Sequence, residues 1–358
     1  MEILIGLMSG TSLDGVDVAA IETDGRSRVR SLCFESLAYS DAFRDRMRQL
    51  LKEPDDPSAT EVERDLTLQH AEAVERLLER SGLPRKAVRA IGFHGQTIRH
   101  DPSKRYTWQM GDGALLSRIV GIDVVTDFRS ADVRAGGQGA PLAPLYHAVK
   151  SVDLTKPLAI LNLGGVGNVT WVGPDREAIL AFDTGPGNAL IDDWVYRATG
   201  RACDLGGEFA ERGRMDPCVL AELLTHSYFE EKPPKSLDRN SFSFSNLEEL
   251  SLEDGAATLT AFTAAAVGRG QAFFPLEATR WLVCGGGRHN PAIMKALAGE
   301  LTGSVEPVES VGWNGDALEA ECFAYLASRS LQGLPISLPL TTGVPHAMRG
   351  GRLFAAGV

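Results

Sequence analysis

Four times in this chain an apolar, strand-forming run stops at a turn of glycine and small polar residues, and that repeated junction restricts the folds open to it. The turns are Gly10-Thr11-Ser12-Leu13-Asp14-Gly15-Val16-Asp17, Leu163-Gly164-Gly165-Val166-Gly167-Asn168, Asp183-Thr184-Gly185-Pro186-Gly187-Asn188 and Cys284-Gly285-Gly286-Gly287-Arg288-His289-Asn290. Open α/β sheets bind ligands beyond the ends of their strands, which is where such turns lie. Strand-end turns in both halves of the chain therefore predict an α/β protein with a ligand-binding edge in each half.

A chain of 358 residues is long for a single core, so two domains are expected. Residues 2–8 and 16–22 read as a strand hairpin with residues 9–15 at its tip. A helix is expected over 58–81, with Ser58 and Glu61 as a capping box, Val62, Leu66, Ala73 and Leu77 at helical spacing, and Gly82 and Pro84 at its end. A strand at 90–93 runs into His94-Gly95-Gln96-Thr97; a helix at 112–120 stops at Gly121 before a strand at 122–126. The Gly- and Pro-rich stretch 135–144 and a new strand at Leu158 put a domain crossing near 130–155. Further on, a helix at 256–273, a strand at 281–284, a helix opened by Asn290-Pro291 and a helix at 317–331 closed by Gly333 are expected. Residues 214–250, with Pro233-Pro234 and a Ser/Phe/Asn cluster, read as a long surface excursion.

Each turn has a chemical reading beside a plain one. At 10–17, small residues let backbone N–H groups approach a phosphate, and Asp14 or Asp17 suits a magnesium ion held through water; the same residues also make an ordinary polar hairpin tip. The Gly164-Gly165-Val166-Gly167-Asn168 turn suits the other end of a polyphosphate, or is a tight hairpin. Three successive glycines at 285–287 allow a flat base to pack on backbone, with Asn290 capping a helix and in reach of ligand. Asp183, fixed by a Thr-Gly-Pro-Gly turn, suits a general base, while a turn Asp that satisfies nearby N–H groups is the common alternative.

Composition excludes other classes. A net charge of -11 without a Lys/Arg block gives no footprint for nucleic acid or anionic lipid. Five cysteines without a CxxC pair fit neither a disulfide framework nor a zinc site. The start Met1-Glu2-Ile3-Leu4-Ile5-Gly6 lacks a basic leader, and no apolar run approaches the roughly 20 residues of a membrane span, so a cytoplasmic location is expected.

Taken in order, Gly6-Leu7-Met8-Ser9-Gly10-Thr11-Ser12-Leu13-Asp14-Gly15, His94-Gly95-Gln96-Thr97, Asp127-Phe128-Arg129 and the three later turns resemble the signature of the anhydro-N-acetylmuramic acid kinases, over about residues 4–350. The resemblance implies two actin-like (ribonuclease H-like) α/β domains with a nucleotide cleft between them. They would comprise residues 1–130 with about 340–358, and residues 131–339. It implies ATP and Mg²⁺, with Gly10, Thr11, Ser12, Leu13, Asp14, Gly15, Val16 and Asp17 as the first phosphate loop, Asp14 and Asp17 nearest the metal, Gly164, Gly165, Gly167 and Asn168 as the second loop, and Gly285, Gly286, Gly287 and Asn290 at adenosine. Asp183 would activate the water that opens the anhydro ring while O6 takes the γ-phosphoryl group. Thr97, Arg129 and Glu321 are the expected sugar contacts; Arg129 suits the lactyl carboxylate because guanidinium binds carboxylates bidentately, while a structural ion pair is its plain role. A small anhydro amino sugar is the implied partner, and a homodimer the implied assembly. Two rivals remain at this stage: a kinase for an ordinary hexose or carboxylate, and a nucleotide clamp that hydrolyses ATP without a sugar.

Overall fold

The computed structural model describes residues 1–10, 12–175, 178–237, 241–243 and 247–357. The chain divides into one unit made of Met1–Asp153 with Asp316–Val358 and a second made of Leu154–Gly315.

The first unit is built on strands β1 (Glu2–Ser9), β2 (Gly15–Thr23), β3 (Val29–Ala38), β4 (Val88–Asp101), β5 (Tyr106–Met110) and β6 (Val124–Thr126). β1 runs antiparallel to β2 and parallel to β4, β4 is parallel to β6, and β5 folds back on β4. Alternation along β1 sends Ile5 and Leu7 to one face, into a core shared with Val62, Leu66 and Leu77 of the helix Ala59–Ser81. The other face carries the helix Leu318–Leu331. Gly6 and Gly92 sit opposite each other in the β1/β4 ladder. A Cβ on Gly6 would lie 1.8 Å from the Ala320 carbonyl oxygen, and one on Gly92 2.0 Å from that of Phe323. Helix backbone thus rests directly on sheet backbone, a closeness only glycine permits.

The second unit contains β7 (Leu158–Leu163), β8 (Val166–Val172), β9 (Ile179–Pro186), β10 (Arg280–Cys284) and β11 (Ser304–Pro307), in the order β11-β10-β7-β8-β9. Its core gathers Phe182, Leu259, Phe262 and Trp281 between this sheet and the helices Ala189–Thr199, Leu252–Gln271 and Pro291–Glu300. The last strand, β12 (Arg352–Phe354), pairs antiparallel with β6 of the first unit.

The α/β class expected from the strand–turn pattern is the one observed, while several details are corrected. The chain leaves the first unit after Asp153, within the 130–155 stretch read from the glycine and proline run and beyond the 130 that the resemblance implied, because Lys150 of the helix Pro144–Lys150 donates to Glu321 at 3.0 Å and also bonds Ser31 on β3. It returns at Asp316 instead of about 340, because the helix Leu318–Leu331 packs on Gly6 and Gly92. Ser58 opens its helix without a side-chain cap; the Asp56 carboxylate accepts the Ser58 N–H at 2.7 Å instead. The helix expected from 256 begins at Leu252, capped by Ser251. Residues 214–250 are not a surface excursion where they are described: Tyr228, Phe229, Phe242 and Leu247 are core residues, with Phe242 against Phe262 at 5.4 Å between ring centres. None of the described helices is long and apolar enough to cross a membrane.

The glycine-paved contact makes a prediction of sign. Gly92→Ala drives a methyl into helix backbone that cannot rotate away, and should cost about 3 kcal/mol or more, at the top of the overpacking range. Gly299→Ala, inside a helix with nothing within 4 Å of the new methyl, should instead stabilise by about 0.4–1 kcal/mol. Urea unfolding midpoints at unchanged slope check both.

Candidate active site

Three of the four turns converge at one end of the second unit's sheet. The β7–β8 hairpin has Gly164 and Gly165 at its tip, and their carbonyls accept the N–H groups of Asn188 (2.7 Å) and Gly187 (3.0 Å). A Cβ on Gly285 would strike Leu163 O at 2.6 Å, and one on Gly287 the Leu163 Cβ at 2.6 Å, so the triple-glycine turn lies directly on the end of β7. Asp183 stands opposite Asn168 in the β8/β9 ladder.

The glycines separate into two kinds. Gly15, Gly167, Gly285 and Gly287 are glycine because the fold fills the space a side chain would need: Leu37 O at 2.3 Å from a Cβ on Gly15, Thr184 Oγ1 at 2.7 Å from one on Gly167, and the end of β7 at the other two. Gly10, Gly164, Gly165 and Gly286 have no such neighbour, the nearest atoms being 3.5–3.8 Å away, and none needs a left-handed φ. Those four positions leave bare backbone open to close approach from outside the chain. The helix Ala189–Thr199 also starts here, and Asn188 gives it no side-chain cap, which leaves early N–H groups for an anion. The Asn188 Nδ2 donates to Leu163 O at 3.0 Å, and its Oδ1 and the Thr184 Oγ1 are buried without partners among the described residues. Asn290 spends its side chain on structure: Oδ1 caps Ala292 and Ile293, and Nδ2 reaches Asp204 O. Its expected contact with adenosine through the side chain is withdrawn for that reason.

Asp183 is held in a pocket that residue spacing did not reveal. Its Oδ2 accepts the Leu237 N–H at 2.8 Å, its N–H donates to Lys235 O at 3.0 Å, and the Tyr228 hydroxyl donates to its backbone carbonyl. Oδ1 makes no hydrogen bond among the described residues. Burial pushes the carboxyl up to about 7, against the opposing pull of the Leu237 N–H and the Lys235 charge. Lys235 is itself pushed down to about 8 by burial; its Nζ donates to Tyr228 O at 2.7 Å and lies 4.2 Å from the Tyr228 ring centre. Tyr228, Lys235 and Leu237 all come from the stretch that read as surface excursion. Only its lysine and aromatic content hinted otherwise.

In the first unit the turn at 10–17 is the β1–β2 tip. Thr11 lies outside the described residues. Leu13 takes a left-handed φ of 57° with its side chain in the core, while Ser12 and Asp14 are exposed. Val16 is core and offers only backbone. Asp17 is pushed up to about 6, first by burial, against a Ser36 hydrogen bond, and further by Asp14, Glu319 and Asp316. Hard oxygen donors crowded by like charge fit a magnesium ion. Among the described residues no three acids, histidines or cysteines form a ligand shell on their own, which suits an ion that keeps much of its water. Beside the turn, Tyr39 donates to Ser9 and Ser9 to Gln96 Oε1, leaving Gln96 Nε2 buried without a partner among the described residues.

Of the expected sugar contacts, Thr97 receives the Gln109 amide at 3.3 Å, and Arg129 donates from Nε to His94 Nε2 at 2.9 Å and from Nη1 to Gly139 O at 2.7 Å. His94 Nδ1 must carry the proton, since it faces Gly95 O at 2.8 Å; burial and then Arg129 hold its pKa well below the ordinary value. It is a neutral acceptor that orients Arg129. Glu321 is a correction: it is buried, bonded to Tyr146 and paired with Lys150 at 3.0 Å, so it has no capacity for substrate. Two residues earlier on the same helix, Glu319 is exposed, and its charge acts on both Arg129 and Asp17.

A family model described as anhydro-N-acetylmuramic acid kinase matches residues 2–356. The anhydro-N-acetylmuramic acid kinase of Rhodospirillum rubrum is 53% identical over 355 residues, spanning 98% of this chain and 94% of its own. That of Paramagnetospirillum magneticum is 54% identical over 353 residues, spanning 97% and 98%. Among solved structures, a ROK family glucokinase from Streptomyces griseus in complex with glucose and AMPPNP aligns over 90% of this chain and 98% of its own at 14% identity, with a TM-score of 0.42, a likeness too slight to carry an argument.

The two glutamates should separate in the test tube. Glu321→Gln removes the buried charge opposite Lys150 and should cost about 3–5 kcal/mol, whereas Glu319→Gln should change stability by no more than about 0.5 kcal/mol. Chemical unfolding of both variants checks the assignment.

Proposed function

This chain belongs to the anhydro-N-acetylmuramic acid kinase family, and on that premise we propose how its own residues divide the work. The enzyme is an ATP-dependent sugar kinase that opens 1,6-anhydro-N-acetylmuramic acid and phosphorylates O6, yielding N-acetylmuramic acid 6-phosphate and ADP in peptidoglycan recycling. The observation that carries the residue assignment is the single carboxylate, Asp183, pushed to about 7 with one oxygen fixed by Leu237 and the other without a bond among the described residues. The bicyclic sugar has no O6 proton for a base to remove. Asp183 instead takes a proton from water; the water oxygen forms the new bond to C1, the C1–O6 bond breaks, and O6 bonds the γ-phosphorus as ADP leaves. The phosphoryl group does what a second, protonated carboxyl does in an ordinary glycosidase. Lys235 favours the ionised form of Asp183 and leaves the pocket dry enough to keep the base strong.

The open-faced glycines Gly10, Gly164, Gly165 and Gly286 are the points where nucleotide meets backbone, and Gly15, Gly167, Gly285 and Gly287 hold those points in shape. Asp14 and Asp17 would hold Mg²⁺ through water, and the ion would supply neutralisation of the phosphate charge. Thr97, Arg129 and Glu319 form the sugar side, with Arg129 oriented by His94 for the lactyl carboxylate.

Asp183→Asn should bind ATP as the parent does and lose about 10²- to 10⁴-fold in turnover. Because the group works as a base and its pKa is raised, parent activity should be low below pH 6, rise through about 7 and level off above. Lys235→Met removes the charge that lowers this pKa and should move the rise to higher pH. Coupled ADP detection with and without the anhydro sugar, joined to mass measurement of the product, tests the reading. A product that has gained both water and phosphate supports it; sugar-independent ATP turnover would favour a nucleotide clamp.

A further inference from the structure

A cavity of about 150 Å³ opens in the first unit between the middle of β4, β5 and the C-terminal end of β6. Phe93 and Trp108 form its apolar wall, and Thr107, Gln109, Ser130 and Asp127 its polar side. Two of the three proposed sugar residues are tied to these walls: Gln109 donates to Thr97, and Arg129 donates to His94, which also lines the space. The volume matches a cavity that takes up benzene. It is of a size to take one small substituent.

The chemistry of the walls selects the substituent. Asp127 is the one charged lining residue and no cation stands beside it in the wall, so a carboxylate is repelled. Asp127 also holds a left-handed φ of 57°, a conformation that disfavours any residue but glycine, and asparagine or aspartate less than others. Its nearest cation, Arg134, stands 3.9 Å away with most of its side chain in solvent. A strained position kept for an under-paired acid marks a place where that acid meets something from outside. A group with a methyl at one end and an N–H at the other satisfies both walls.

We infer that this cavity is the subsite for the N-acyl group of the amino sugar, its methyl packed between Phe93 and Trp108 and its amide N–H donated to Asp127, so that these residues set the acyl length the enzyme accepts. The inference rests on the kinase reading above and deepens it.

Anhydromuramic acids bearing N-formyl, N-acetyl and N-butanoyl groups separate the possibilities, with kcat/KM measured for each at saturating ATP. The parent enzyme should prefer N-acetyl to N-butanoyl by about 10-fold or more, the scale on which extra methylenes are rejected by a closed pocket. Trp108→Ala enlarges the cavity and should narrow or reverse that ratio while leaving KM for ATP unchanged. Ser130→Leu fills it from the polar side and should move the preference towards N-formyl. It guards the test against a Trp108 variant that does not fold. A ratio that is flat in the parent, or unchanged in the folded variants, overturns the subsite while the kinase reading stands. Absence of ADP with the N-acetyl substrate overturns the kinase reading, and the subsite with it.

Discussion

Burial raises the Asp183 carboxyl to about 7 while a backbone N–H from Leu237 and the Lys235 charge pull it down, and the second unit is arranged to hold that opposition steady. A carboxylate in water is a weak base near pH 4. One stripped of water but held by a single hydrogen bond gains basicity while remaining about half ionised at neutral pH. The Thr-Gly-Pro-Gly turn aims it from the end of β9, and the segment carrying Tyr228, Lys235 and Leu237 closes over it.

The rest of the site depends on backbone being left bare where ligand must come close. Gly6 and Gly92 let a helix lie on the first sheet, and that helix, arriving from the second crossing of the chain, carries Glu319 to the vicinity of Arg129 and Asp17. The buried Lys150–Glu321 pair joins the helix before the first crossing to the helix after the second. Packing that seems remote from chemistry therefore determines which acids face the site.

Much of this was legible in the sequence, because strand-end glycine turns and a fixed Asp are local patterns. What stayed hidden is long-range. Leu318, Cys322 and Tyr325 surround Glu321 on the buried side of its helix, whereas Glu319, two residues and about 200° away, looks outward; the sequence pattern showed the helix, a resemblance picked Glu321, and a reading of the helix faces would have picked its neighbour. Boundaries slipped for the same reason, since helix-on-glycine contacts between residues 6 and 320 leave no trace in local periodicity. Residues 214–250 lack any repeat, so nothing local showed that Lys235 would stand beside Asp183.

The most direct measurement is the ionisation of Asp183 itself, followed as the infrared carboxyl band of the parent protein minus that of Asp183→Asn across pH 4 to 9. Our account requires a single group titrating near 7. A carboxyl already ionised at pH 5 would contradict the desolvated base on which the proposed chemistry stands.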